Sequence, residues 1–185
     1  LIDDALRASP EANAIFMRLL TVTDNPERAL RRMNETGVLG AFIPEFDRIV
    51  ALMQFNMYHH YTVDEHTIHA IGGLKRLEQG ELISDLPVAS RILEDGVDRA
   101  VLYTALFLHD IGKGRTDPHE DVGADIAKTL CPRLGLSDSQ TELVEWLVRN
   151  HLVMSDVAQK RDITDPTTVK AFADQVRSVQ RLKLL

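Results

Sequence analysis

Apolar residues along the chain recur mainly at three- and four-residue spacing, the period of an amphipathic helix. No alternating apolar and polar run reaches the length of a convincing half-buried strand, so the pattern predicts an all-α fold. Ser9-Pro10 and Asn25-Pro26 each place a capping residue ahead of a proline at the first helical position, and Gly37 closes the second of these helices after Arg31, Arg32 and Met33. Thr62 and Glu65 form a capping box before a helix that carries Ile68, Ile71, Leu74 and Leu77 and ends near Gly80. The stretch from about Val97 to His109 is apolar nearly all round, which assigns it to the core, and it stops at the pair Gly112 and Gly114. Asp117, Pro118, His119 and Glu120 predict another box, ahead of a face made by Gly123, Ile126, Ala127 and Leu130. Ser137 with Gln140 caps a helix through Leu143, Val144, Trp146 and Leu147 to His151. Asp165-Pro166 opens one with Val169, Phe172 and Val176 inward, and Ser178 starts a further one. At the usual mean helix length this amounts to roughly seven to nine helices in a compact bundle.

Composition narrows the class. The 185 residues, 44% hydrophobic and 26% charged, suit one well-buried globular domain with a helical extension. A formal net charge of -7 opposes the attraction to phosphate backbones that dominates nucleic-acid affinity, so no nucleic-acid partner is expected. The single cysteine, Cys131, gives no disulfide framework and fits a reducing, cytoplasmic setting. The longest apolar stretch, Ala100 to Leu108, is too short to span a bilayer, so no membrane association is expected. Leu1 and Leu185 both lie inside amphipathic segments, and the chain reads as excised from a longer one.

Candidate chemistry lies with the histidines, of which there are seven. His66 borders the apolar arc of its helix, near Ala70 and Gly73, whose small size permits close approach of another helix. His109 and Asp110 fall where the most apolar helix ends, and burying both without partners would cost several kcal/mol or force neutralisation. His119 lies in the first turn of the next helix, and His151 ends another on the face of Val144 and Leu147. A metal ion would satisfy these five groups together. Mixed imidazole and carboxylate ligation suits Mn, Fe, Zn or, with waters, Mg, and the spacing is unlike the close Cys/His pairs of structural zinc sites. Each residue also has a plain structural reading. His66 or His151 could be a hydrogen-bonded core histidine, His119 a solvated first-turn residue and Asp110 a turn cap, with His59, His60 and His69 structural or exposed. Periodicity leaves both readings open.

The string Leu106-Phe107-Leu108-His109-Asp110-Ile111-Gly112-Lys113-Gly114 resembles the signature of the HD phosphohydrolase superfamily. The resemblance implies a helical bundle with one or two divalent ions between helices, held by His66 as the early ligand, by His109 and Asp110 as the doublet, and by His119 and His151. Three further stretches are similar to the uridylyl-removing domain of the PII uridylyltransferase family: residues 57–67, Trp146 to His151 running into Leu152-Val153-Met154-Ser155, and Ala158-Gln159-Lys160-Arg161-Asp162 ahead of Asp165-Pro166. On that likeness residues 1–55 are a helical connection and residues 56–185 the hydrolase domain, within a larger chain that also carries nucleotidyltransferase and regulatory domains. The family's late metal-binding aspartate belongs on the helix that begins near Gln180, yet no residue after Asp174 is acidic, so the domain is expected to be cut before that helix is complete.

The resemblance further implies metal-dependent hydrolysis of a phosphodiester, with uridylylated PII signal protein as substrate and UMP and unmodified PII as products. Phenolate, whose conjugate acid has a pKa of about 10, would be the leaving group. His109, Asp110 and Lys113 are the expected catalytic residues, with Lys113 on the phosphate by virtue of its charge and its place beside the doublet. Two other readings stay open: a generic HD nucleotide phosphohydrolase or phosphodiesterase acting on a free small molecule, and a non-catalytic regulatory module that docks PII. No Gly-Ser motif with a spaced Asp-x-Asp pair is present, so uridylyltransferase activity is not expected.

Overall fold

A computed structural model describes residues 2–53 and 61–185. The described residues form thirteen helical segments: α1 (Asp4–Ala8), α2 (Pro10–Thr21), α3 (Pro26–Glu35), α4 (Val38–Phe42), α5 (Pro44–Asp47), α6 (Val63–Glu78), α7 (Pro87–Glu94), α8 (Arg99–Leu108), α9 (His119–Arg133), α10 (Asp138–Asn150), α11 (Val153–Lys160), α12 (Pro166–Val176) and α13 (Val179–Leu184). Nine of them have eight residues or more, and α1, α4, α5 and α13 are short additions. Among the described residues no strand forms, only an isolated bridge between Met53 and Thr62. The fold is all-α.

The caps follow local chemistry in most places. Ser9, Asn25 and Asp165 accept backbone N–H bonds ahead of their prolines, and Ser137 and Gln140 form the complete reciprocal box of α10. Gly37 follows α3 in the left-handed region at φ 71°, where a side chain would be strained. Two expected boxes do not form. Thr62 stands at the N-cap of α6 without a side-chain bond, and the Glu65 carboxylate, the other half of the box, pairs with Arg31 of α3. Pro118, not Asp117, is the N-cap of α9, so His119 rather than the proline is the first helical residue.

The core is continuous from the amino-terminal helices to α10. Phe107 of α8 stacks on Phe46 of α5 with ring centroids 5.2 Å apart and meets Phe16 of α2 edge-on at 5.7 Å. Tyr103, Phe107, Leu108 and Ile111 are fully buried, which makes α8 the central element that its apolar pattern predicts. Helix α10 packs against both α9 and α8. Close approach of α3 to α6 falls at Gly72 rather than Gly73: an added Cβ at Gly72 would overlap the Glu27 carboxylate, whereas Gly73 faces open space.

The carboxy-terminal helices are held more lightly. The Arg181 guanidinium lies 4.7 Å from the Trp146 ring, and Gln175 donates to Asn150 at 3.0 Å. No residue of α11 is buried and only Val176 of α12 is. Val169, expected inward, is 54% exposed, so the described residues leave that side of α12 uncovered. No described helix is long and apolar enough to cross a membrane.

Candidate metal centre

Four helices deliver imidazoles to one carboxylate. His66 projects from the first turns of α6, His109 is the C-cap of α8, His119 opens α9 and His151 is the C-cap of α10. Asp110, immediately beyond α8, is buried at their centre. Its Oδ2 lies 3.2 Å from His109 Nε2 and 3.9 Å from His66 Nε2, while its Oδ1 lies 3.6 Å from His119 Nε2 and 3.8 Å from His151 Nε2. Each carboxylate oxygen therefore faces one pair of imidazoles. Two ligand groups result, His66–His109–Asp110 and Asp110–His119–His151, each with its donor atoms within 4.8 Å of one another.

The hydrogen bonds on the far side of the rings settle where the lone pairs point. His109 Nδ1 donates to the Leu106 carbonyl at 2.6 Å and His151 Nδ1 to the Val148 carbonyl at 2.7 Å; a carbonyl can only accept, so the proton is on Nδ1 in both. His119 Nδ1 faces the Glu120 carboxylate at 3.2 Å, which fixes the same tautomer. In the neutral rings the Nε2 lone pairs of His119 and His151 then oppose each other at 3.4 Å, and His66 and His109 Nε2 approach to the same distance. For His119 and His151, acceptor facing acceptor beside a buried carboxylate is repulsive unless a cation lies among them. This donor set fits a divalent ion, and imidazole with carboxylate is compatible with Mn, Fe, Zn or Mg.

Electrostatics keep the set ready for a cation. Burial lowers the pKa of His119 and of His151, against the pull of the Asp110 charge, and so favours the neutral ligand forms. Burial also pushes the Asp110 carboxyl up, but its charged neighbours, the Lys113 ammonium among them, outweigh it and hold the group well below the usual carboxylate range. Lys113 Nζ sits 2.7 Å from Asp110 Oδ2 with its side chain only 10% exposed, so it is not a solvated loop lysine.

Two contributors are missed by sequence reasoning. Glu120, read as part of a capping box, holds the outer nitrogen of His119 instead. Gly112, read as a helix stop, is where the loop presses on α9: an added Cβ would overlap the His119 carbonyl oxygen and lie 2.9 Å from the Gly123 nitrogen. A glycine in a loop beside a ligand is the only signal, and it does not name its neighbour. Asp162 and Asp165 bond to Thr164 and Thr167, and Asp174 is exposed, so none of the three joins the cluster. His69 is half exposed, with Nδ1 3.5 Å from Glu27, and His59 and His60 lie outside the described residues with the rest of 54–60.

Comparison with known proteins agrees with this geometry. Residues 63–178, more than half of the chain, match the HD domain family. The chain belongs to the HD domain family. Residues 1–42 of this HD protein match the family described as the uridylyltransferase GlnD third domain. Over all 185 residues the chain is 62% identical to the bifunctional uridylyltransferase/uridylyl-removing enzyme of Cereibacter sphaeroides, 63% to that of Ruegeria pomeroyi and 54% to that of Erythrobacter litoralis. It spans about 20% of the length of each of these relatives. HD domains bind divalent metals, and among the described residues the cluster around Asp110 has the ligands that could hold one.

Proposed function

We propose that this HD domain is the uridylyl-removing module of a larger cytoplasmic enzyme, hydrolysing the phosphodiester between UMP and a tyrosine of PII signal protein. The observation that carries the reading is the pair of ligand groups sharing Asp110, joined to relatives whose names include a uridylyl-removing activity. In this reading residues 1–55 connect the module to a nucleotidyltransferase domain, residues 56–185 are the hydrolase, and regulatory domains lie elsewhere in the full-length protein.

His66, His109, Asp110, His119 and His151 would hold one or two divalent ions. Such ions supply Lewis acidity toward phosphate oxygens and acidify water near them. The chain's own residues do the rest. The carbonyls of Leu106 and Val148 and the carboxylate of Glu120 hold three imidazoles with Nε2 inward. Asp110 stays ionised beside the Lys113 ammonium, so one negative charge is fixed between the two ligand groups. Lys113, with His109 and Asp110, would be catalytic: an ammonium at the edge of the cluster stabilises charge that grows on nonbridging oxygens during attack. A phenolate departs without prior protonation more readily than an alkoxide would.

The test is release of UMP from uridylylated PII by the purified protein loaded with manganese, with free nucleotides and cyclic nucleotides as competing substrates. UMP release that stops on chelation and returns with metal is expected. Turnover of free nucleotides with none of the modified protein would replace this reading by a small-molecule phosphohydrolase.

A further inference from the structure

The loop joining Asp110 to α9 is anchored at both ends on the ligand cluster: Asp110 Oδ1 and His119 Nε2 are 3.6 Å apart although residues 111–118 lie between them. Lys113 is committed to Asp110 at 2.7 Å. Two residues on, past Gly114 at φ 77°, stands Arg115, half-buried in the same loop. Its Nε is buried and has no acceptor, and among the described residues no hydrogen bond or ion pair engages its guanidinium. Arg133 also has a buried unbonded Nε, but that guanidinium donates to the Phe42 carbonyl at 3.1 Å and lies over the Phe42 ring. Arg115 has neither relief.

A buried donor without an acceptor is uncommon and points to a group that is bound in use. Guanidinium offers five N–H donors in a planar fork that matches two oxygens of one phosphate, and it keeps its charge at any working pH. Arg115 stands in the middle of a loop that begins and ends on the cluster, five residues after Asp110 and four before His119. We infer that Arg115 binds the nonbridging oxygens of the substrate's phosphate, supplying the cation that Lys113, paired with Asp110, cannot supply alone. The inference rests on the hydrolase reading above and names a further substrate-contacting residue within it.

The experiment is calorimetric titration of the manganese-loaded protein with inorganic phosphate, with UMP, and with uridine as the uncharged control, for the parent, Arg115→Ala and Arg115→Lys. Charge-assisted hydrogen bonds of this kind predict that Arg115→Ala weakens phosphate and UMP binding by about 10- to 100-fold. Arg115→Lys should recover part of it, because charge survives and the fork does not. Manganese content should match the parent in both variants, and the response to uridine should not change. Equal phosphate affinity in parent and Arg115→Ala, loss of manganese in Arg115→Ala, or a parent that binds no phosphate overturns the inference. UMP release from uridylylated PII is measured on the same preparations to separate the two claims. Release that Arg115→Ala leaves unaltered refutes the arginine and spares the hydrolase reading. Arginine-dependent phosphate binding in a protein that releases no UMP refutes the hydrolase reading and leaves the anion site.

Discussion

At the scale of single residues, Asp110 differs from the histidines around it because each of its oxygens serves a different pair of rings. Removing it should therefore affect both ligand groups, whereas removing His66 should affect one. Asp110→Asn is expected to abolish metal retention while helicity persists, and His66→Ala to lose no more than the ion at its own group. Elemental analysis after dialysis, read beside far-ultraviolet dichroism, decides this; equal metal loss in the two variants would show that the carboxylate is not shared. The same residues predict a pH dependence for the metal-free protein. Burial lowers the pKa of His119 and His151 in the fold, while an unfolded imidazole titrates near about 6.5. As pH falls through that value the unfolded chain binds protons first, so stability present above it is lost below it. Asp110, also depressed, adds its loss only at more acid pH, below about 4. Thermal unfolding of the chelated protein should show Tm dropping between neutral pH and pH of about 5, and His119→Gln should reduce that drop. A Tm that rises on acidification in the parent contradicts the assignment.

At the scale of elements, the unit that matters is α8, its loop and α9, because it carries His109, Asp110 and His119. Gly112 sets the distance between the loop and the first turn of α9. A methyl group there has to displace the His119 backbone, so Gly112→Ala is expected to cost about 1–3 kcal/mol by overpacking. It should also weaken metal binding at the group containing His119 more than at the group containing His66. Denaturant unfolding and metal titration together check both parts, and a stable variant with unaltered metal binding would return Gly112 to an ordinary helix stop. What sequence could show of these elements was what local chemistry determines. Ser9, Asn25, Ser137 with Gln140, and Asp165 cap their helices because the bonded groups lie two or three residues away. The Glu65 half of the box with Thr62 failed because Arg31, distant in the chain, takes the glutamate. Val169 failed because amphipathic spacing gives an apolar stripe without saying whether anything covers it. The five predicted ligands do converge, yet their spacing alone left each open to a structural reading, and only the likeness of the His109-Asp110 string drew them together.

At the scale of the whole molecule, the ligand cluster and the amino-terminal helices share one core. The helix that ends in His109 is backed by Phe107, which packs on Phe46 and Phe16, and Phe16 in turn meets Phe42 at 5.6 Å. Leu20, Leu30, Leu39, Ile43 and Phe46 are fully buried in the same cluster. Removing residues 1–47 would therefore expose one side of α8 as well as delete five helices. Truncating even one such aromatic in a core commonly costs about 3–5 kcal/mol, against a total stability of about 5–15 kcal/mol for an ordinary domain. The shortened chain is accordingly expected to keep much of its far-ultraviolet helical signal while losing near-ultraviolet dichroism, binding a hydrophobic dye and melting without a sharp transition. With α8 no longer held, His109 and Asp110 should lose their fixed relation to His66 and His151, and metal affinity should fall with the cooperativity. A shortened chain that melts sharply near the parent's Tm and retains the parent's metal content would show that the first helices are a separable connection, leaving the HD core to stand on α6 and α8–α10 alone.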